Sequence, residues 1–301
     1  MSTTLQPQAP PNNNMKPHTI HSYSGLAHPP HLSRLESAAH KQAQVEPLSI
    51  DVDTGDGQDG FVPGFLHLPP DFTTAPGTLP THHHRTAALL LSGAGGGVTG
   101  PSSIYLSLAC KLATVGIPTL RLDYRFPART AACVADAKAA MAYLRDMYGL
   151  DRFVLVGWSF GGAVVFSAAD GDERVVGCAT VASQTAGTEG IRRLAPRPAL
   201  LMHGTGDRTL SDGCSRRLFE MYGANPKGER RLQLFEGDNH ALSKNAERAE
   251  EMLCEFVATC AGVGIGEEER ERVVRLELIE DGERHGLMEK GGDLREPEKE
   301  D

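Results

Sequence analysis

The chain predicts an α/β domain built on an eight-stranded, mostly parallel sheet, with helices on both faces and no large cap domain. Three observations carry that prediction. From Ala87 to Cys260, short apolar runs alternate with longer stretches of helical period. Several of the runs, such as Phe153-Val154-Leu155-Val156, are apolar without a break, as in strands covered on both faces. The segment before them alternates with period two around a turn rich in Gly and Asp, which reads as a hairpin.

The hairpin comes first. Leu48-Ser49-Ile50-Asp51-Val52-Asp53 leads through a Gly/Asp turn to Val62–Leu68, and Pro69-Pro70 closes it. Six parallel strands are expected at Ala87–Ser92, Ile117–Asp123, Arg152–Trp158, Val175–Val181, Pro198–His203 and Arg231–Glu236. Between them, residues 131–148 put Val134, Ala137, Met141, Leu144 and Tyr148 on one helical face, with Lys138, Arg145 and Asp146 away from it. Residues 244–260 do likewise with Ala249, Leu253, Phe256, Val257 and Cys260. The α/β domain therefore spans 45–260. Residues 1–44 are rich in Pro, Asn, His and Ser without an apolar period, and are expected to be a disordered arm. Residues 261–301 form a charged acidic tail, in which Val273, Val274, Leu276, Leu278 and Ile279 suit either a short helix or a strand docked on the body. Glu296–Asp301 is expected to be disordered, and no internal repeat is visible.

Composition excludes several classes of function. The chain has 301 residues, 40% of them hydrophobic, enough for a sizeable core. Of the net charge of -9, the tail carries -7 and the arm +2, so the middle has no basic stripe to suit nucleic acid. No apolar run reaches the roughly 18 residues of a membrane span. The start of the chain lacks the charged-then-apolar layout of a secretory signal, and its single arginine and missing amphipathic period disfavour a mitochondrial address. Six cysteines without a Cys-x-x-Cys pair read as free thiols of a reducing, cytoplasmic compartment.

The chemistry is concentrated at strand ends. Gly157-Trp158-Ser159-Phe160-Gly161 directly follows a buried strand, the context of a nucleophile elbow, where a sharp strand-to-helix turn strains the serine backbone and presents its hydroxyl. Small residues are needed at Gly157 and Gly161 to avoid the neighbouring strand and helix, and Gly162 lets that helix approach the sheet. A serine needs a base to take its proton, and the base needs an acid to hold its tautomer. In parallel sheets such groups lie beyond the carboxyl ends of strands. Asp207 follows one strand through His203-Gly204-Thr205-Gly206, and His240 follows the last strand in Glu236-Gly237-Asp238-Asn239-His240.

With these three positions in the order Ser, Asp, His, each after the expected strand, residues 45–260 resemble the α/β-hydrolase superfamily. The resemblance implies that Ser159 is the nucleophile, His240 the general base and acid, and Asp207 the orienting carboxylate. It also implies an oxyanion hole, where loss of one donor costs about 3 kcal/mol. One donor is the Phe160 backbone N–H at the positive start of the following helix. The other comes from Ser92-Gly93-Ala94-Gly95-Gly96-Gly97, with Ala94 the first choice and Gly95 the second. Ser92 stands where the family often has a histidine that stiffens this loop.

Rival readings exist for each residue. Asp238 shares a loop with His240 and is an alternative acid or a helix cap; Asp212 belongs to a helix start, and Asp123 reads as a loop organiser. His203 is expected to stabilise the turn before Asp207. His82-His83-His84 resembles a metal tract but lacks a partnering acid or cysteine, so it reads as an exposed turn. Gly93–Gly97 could cradle a phosphate, yet a dinucleotide fold would leave Ser159, Asp207 and His240 unexplained. Trp158 and Phe160 either wall the substrate pocket or pack into the fold.

The reading is a cytoplasmic serine hydrolase of a small-molecule carboxylic ester or thioester, with no metal, no cofactor, no membrane and no nucleic acid. No sequence feature sets its oligomeric state. The interval from Val181 to Pro198 leaves room for one short helix rather than a lid, so the site is expected to be open and edged by aromatics, as in small dienelactone-hydrolase-like members. Those typically use cysteine, and Ser159 departs from them, so their reaction is not transferred. The alternatives are a serine peptidase or amidase of the same fold, and a non-catalytic binding protein.

Overall fold

The computed structural model describes residues 25–35, 43–55, 59–73, 85–222 and 228–295. The hairpin is β1 (Gln44–Val52) and β2 (Gly60–Leu68), and the later strands are β3 (Thr86–Leu91), β4 (Thr119–Leu122), β5 (Arg152–Trp158), β6 (Val175–Val181), β7 (Ala199–Gly204) and β8 (Arg230–Phe235). Among the described residues these eight form one sheet in the order β1-β2-β4-β3-β5-β6-β7-β8. β2 runs antiparallel to both neighbours, with Ile50 opposite Val62 and Leu66 opposite Leu120. β3 through β8 are parallel, so their carboxyl ends line one edge.

The unbroken apolar runs follow from burial on both faces. Leu89, Leu91, Phe153 and Leu155 face a layer containing α2 (Thr130–Tyr148), α3 (Gly161–Ala169) and α4 (Gly213–Met221). Ala88, Leu90, Val154 and Val156 face α1 (Ile104–Thr114) and α5 (Ala246–Ala261). The predicted strands all form, with ends displaced by a few residues. Between β6 and β7 the only helical turn among the described residues is the short Glu189–Arg193, and no lid domain interrupts the sheet there.

Two segments are more ordered than their composition suggests. Within the expected arm, Leu26, Leu32 and Leu35 are buried and pack with Phe65, Val98 and Leu106. Arg121, fully buried on β4, is what fastens them. Its guanidinium donates to the carbonyls of Leu26 (2.6 Å), Ala27 (3.1 Å) and Val98 (3.1 Å), and its Nε to His67 Nε2 (2.9 Å). Burial, with Arg121 beside it, pushes His67 well below the usual imidazole value, so His67 accepts that bond as a neutral ring. Burial also lowers Arg121 to about 10. The remainder of the arm, His82–His84 and Glu296–Asp301 lie outside the described residues.

In the tail, Val273 and Val274 lie in a helical turn, Leu276, Leu278 and Ile279 lie in the irregular link after it, and no strand forms there among the described residues. A single turn, α6 (Glu267–Glu269), runs into a π-helical turn at Arg270–Val274, and α7 covers Asp281–Gly291. Lys111 on α1 anchors the first of these. Its ammonium lies 3.0 Å from the Glu250 carboxylate, almost fully buried, and donates to the Val274 carbonyl at 3.0 Å. Val273, Leu278, Ile279 and Leu287 then share the apolar cluster of Leu26 and Leu32, so both chain extensions cover the same patch.

The approach of α3 to the sheet is set by glycine. A Cβ at Gly161 would lie 2.6 Å from the carbonyl oxygens of Leu91 and Ser92, and one at Gly157 would lie 2.5 Å from the Gly161 carbonyl. Gly161→Ala is therefore expected to lose about 1–3 kcal/mol of stability as α3 is forced away from the end of β3. A urea unfolding midpoint equal to that of the parent protein would show that the helix has room to move.

Candidate active site

Ser159 sits where β5 ends and α3 begins, with φ of 53°, a left-handed conformation rare for a residue with a Cβ. The surroundings hold it there. Its N–H donates to Val181 O at the end of β6 (2.9 Å), and its carbonyl accepts from Gly162 N (3.1 Å) and Gln184 N (3.4 Å). The next residue, Phe160, precedes the first turn of α3, and its N–H has no acceptor among the described residues.

Two strand ends away, Asp207 accepts four hydrogen bonds. Oδ1 takes the N–H groups of Thr209 (2.8 Å) and Leu210 (2.9 Å). Oδ2 takes His240 Nδ1–H (2.7 Å) and His203 Nε2–H (3.0 Å). His203 Nε2 also lies 3.0 Å from Leu210 O, which only accepts, so the proton is on Nε2 and Nδ1 accepts from the Ser215 hydroxyl (2.8 Å). Burial alone would raise the Asp207 carboxyl, but the bonds from His203 and His240 outweigh it and hold the group well below the ordinary carboxylate range. Because an ionised Asp207 can only accept, His240 carries its proton on Nδ1, and Nε2 is the basic nitrogen.

The His240 loop is fixed by other groups. Trp158 Nε1 donates to His240 O (3.1 Å) and its ring lies 5.6 Å from the imidazole. The Ser102 hydroxyl donates to Ala241 O (2.9 Å). Asp238, the rival acid, is spent on folding this loop. Its oxygens accept from Asn239 N (2.9 Å), Lys244 N (3.1 Å) and Asn245 Nδ2 (2.7 Å), while His240 turns to Asp207. Asp212 precedes α4 and accepts from Arg216 Nε at 2.8 Å.

The glycine loop after β3 turns tightly, with Gly96 N donating to Gly93 O (3.0 Å). Asp123 organises it, because Oδ1 accepts from Gly97 N and Tyr124 N, both at 2.8 Å. Ala94 is half-buried against the core, and Gly95 is buried, with Arg295 O only 2.7 Å from where its Cβ would stand. Ser92 is buried and donates to Asp293 Oδ1 at 2.9 Å. That partner, far along the chain in an acidic tail, gives no local signal in the sequence.

One expectation is corrected. Trp158 does not wall a pocket: it is fully buried, on the same sheet face as Val154 and Val156, and supports the His240 loop from beneath. Phe160 likewise packs into the core, edge-on to Tyr124 at 6.2 Å. Trp158 and Phe160 therefore do not edge the site. Ser159 and His240 are 4% and 5% exposed, and the cleft beside His240 is about 220 Å³, bordered by polar Asn239, Thr209, Arg208 and Lys244.

Other chemistries find less support in the side chains. Burial pushes the Cys110, Cys178 and Cys254 thiols up to about 12, far from a nucleophilic thiolate. Among the described residues no group of three or more His, Cys, Asp or Glu is placed to hold a metal ion, and no helix is long and apolar enough to cross a membrane.

A family model described as alpha/beta hydrolase fold matches residues 61–242. Among solved structures, a dienelactone hydrolase from Anabaena variabilis aligns with TM-score 0.57 at 17% identity, over 73% of this chain and 99% of that one. Est1E from Butyrivibrio proteoclasticus aligns with TM-score 0.55 at 16% identity, over 71% and 99%. A puromycin-hydrolyzing peptidase from Mycobacterium tuberculosis aligns with TM-score 0.56 at 16% identity, over 76% of this chain but 41% of that one. At these identities the likeness is one of fold. A search of curated proteins finds no match.

The two candidate acids are separable by spectroscopy. Asp207→Asn is expected to abolish the far-downfield proton resonance of a carboxylate-bound His240 Nδ1–H, and Asp238→Asn to leave it in place. Loss of the resonance in Asp238→Asn alone would contradict the geometry above.

Proposed function

Since the chain belongs to the α/β-hydrolase family, we propose that it is a serine hydrolase that cleaves a small carboxylic ester or thioester through an acyl-enzyme on Ser159. The observation that carries this reading is a serine held at φ 53° on a strand end, on the same sheet edge as an imidazole already hydrogen-bonded through Nδ1 to a buried, ionised carboxylate.

In this mechanism the Ser159 hydroxyl gives its proton to His240 Nε2 as Oγ bonds to the acyl carbon. Asp207 stays ionised and stabilises the imidazolium. The carbonyl oxygen becomes an oxyanion that accepts from the Phe160 N–H and from the glycine loop, at Ala94 or Gly95. The acyl carbon then releases the alcohol or thiol, which takes the proton from His240. Water repeats the sequence: His240 removes its proton, the new oxygen bonds to the acyl carbon, and Ser159 leaves reprotonated with a carboxylic acid as product.

Esters are preferred over peptides because solved esterases share the fold over nearly their whole length, whereas the peptidase is matched over 41% of its chain. Six free cysteines support a reducing, cytoplasmic setting.

A fluorophosphonate probe is expected to label Ser159 in the folded protein and to leave Ser159→Ala unlabelled; unlabelled, folded parent protein would sink the proposal. Asp207→Asn is expected to lower kcat on an activated ester by about 10³–10⁴-fold, the scale seen when a triad acid is lost. Asp238→Asn should stay within about tenfold of the parent, and the reverse order would reassign the acid. A panel of esters, thioesters and aminopeptides of graded acyl length should favour short acyl esters or thioesters, and turnover confined to aminopeptides would transfer the assignment to a peptidase.

A further inference from the structure

Residues 293–295 of the acidic tail pack against the loop beside Ser159. Asp293 follows α7 through Gly292 and is completely buried, although nothing in the catalytic steps above uses it. Its carboxylate accepts five hydrogen bonds, all from the segment after β3. Oδ1 takes the Ser92 hydroxyl (2.9 Å) and Gly100 N (2.8 Å). Oδ2 takes Val98 N (3.2 Å), Thr99 N (2.9 Å) and the Thr99 hydroxyl (2.6 Å). Two residues on, Arg295 Nη2 lies 2.9 Å from Asp123 Oδ2, the other organiser of the glycine loop. Glycine is required where the two meet. A Cβ on Gly97 would lie 2.5 Å from the Asp293 carboxyl carbon, and one on Gly95 2.7 Å from Arg295 O.

We propose that Asp293 and Arg295 are positioning residues of the active site, which hold the Ser92–Gly100 loop so that its N–H donor faces the tetrahedral oxygen. The inference rests on the serine-hydrolase reading of Ser159. Its physical basis is entropy. A loop with Gly93, Gly95, Gly96, Gly97 and Gly100 has many accessible backbone conformations, and fixing each residue costs about 1–2 kcal/mol. A carboxylate that binds three backbone N–H groups and two hydroxyls offsets that cost with charge-assisted bonds. Ser92, at the place where the resemblance led to histidine, meets Asp293, so the tail supplies the stiffening from outside the loop. The same tail braces the next residues. Ser102 and Ser103 have φ of 45° and 56°. Ser103 Oγ donates to Arg284 O (2.7 Å), and Arg284 Nη1 donates to Ser102 O (3.1 Å). Ser102 then reaches Ala241 beside His240, which joins the tail to the base as well as to the oxyanion loop.

The test uses the full chain, with p-nitrophenyl acetate as substrate and Ser159→Ala as baseline. Asp293→Asn places an amide N–H₂ against N–H groups. It is expected to lower kcat about 10–100-fold, up to the loss of one oxyanion donor, with KM within about threefold. Affinity for an alkyl boronic acid, whose adduct with serine is tetrahedral, should fall in the same proportion, while a non-reacting amide with the same acyl group binds as before. Arg295→Ala, which is less buried, should show the same pattern at about 3–10-fold, and covers the case in which Asp293→Asn does not fold. Arg272→Ala, on the exposed side of the tail, should leave turnover unchanged. Parent-like kcat in folded Asp293→Asn, or in folded Arg295→Ala where Asp293→Asn does not fold, would overturn the inference, as would equal weakening of boronate and amide. If the parent protein turns over no more than Ser159→Ala, the serine-hydrolase reading fails first, and the positioning role fails with it.

Discussion

The close approach of α3 to the end of β3 governs the rest of the site. With no side chain at Gly161, the helix start comes against the Leu91 and Ser92 carbonyls. That contact brings Ser159, the Phe160 N–H and the base of the glycine loop to one corner of the sheet. The left-handed backbone of Ser159 costs on the order of 1–3 kcal/mol. Its bonds to Val181, Gly162 and Gln184 offset the strain by tying the residue to the next strand end and to its own helix. Bulk at this corner would separate the groups that the proposed chemistry needs together.

Buried carboxylates do the remaining positioning, and their environments set them apart. Asp207 has two imidazoles among its four donors, and these hold it ionised despite burial. Asp293 has five neutral donors and is more deeply buried, and burial pushes it up to about 6. The linkage has opposite sign in the two cases. The lowered Asp207 contributes stability above the ordinary carboxylate pKa that is lost on acidification. The raised Asp293 contributes stability that is complete below its ordinary value of 3.8 and is lost as the pH rises through about 6. Asp238, which folds the His240 loop, completes a trio in which hydrogen-bond partners, rather than residue type, decide the task.

Much of this architecture was legible in the chain because it is encoded locally. Apolar runs mark strands buried on both faces; Ser159 and Asp207 each follow such a run and His240 follows the alternating last strand of the series, so the sheet edge they share can be inferred before any contact is known. Trp158 shows where proximity misleads: its place beside Ser159 suggested a pocket wall, whereas its parity with Val154 and Val156 already put it among the helices. The ordered segment around Leu26 was hidden because its partner is the Arg121 guanidinium, one charge inside a buried strand. Asp293 was hidden for a similar reason. Among fourteen acidic residues of the tail, nothing local distinguishes the one that enters the core.

The Ser92–Asp293 bond joins positions 201 residues apart. A ribosome adds residues in order, at about 5–20 per second. Ser159, Asp207 and His240 therefore all emerge while the carboxylate that grips the glycine loop has yet to be made. The nascent domain can pack its sheet and bring Asp207 to His240, but the clasp on the loop beside Ser159 has to wait for Asp293. Closing so long a loop costs only slowly more than closing a short one, since each doubling adds about 0.6 kcal/mol. Distance along the chain thus delays the clasp in time far more than it weakens it in energy.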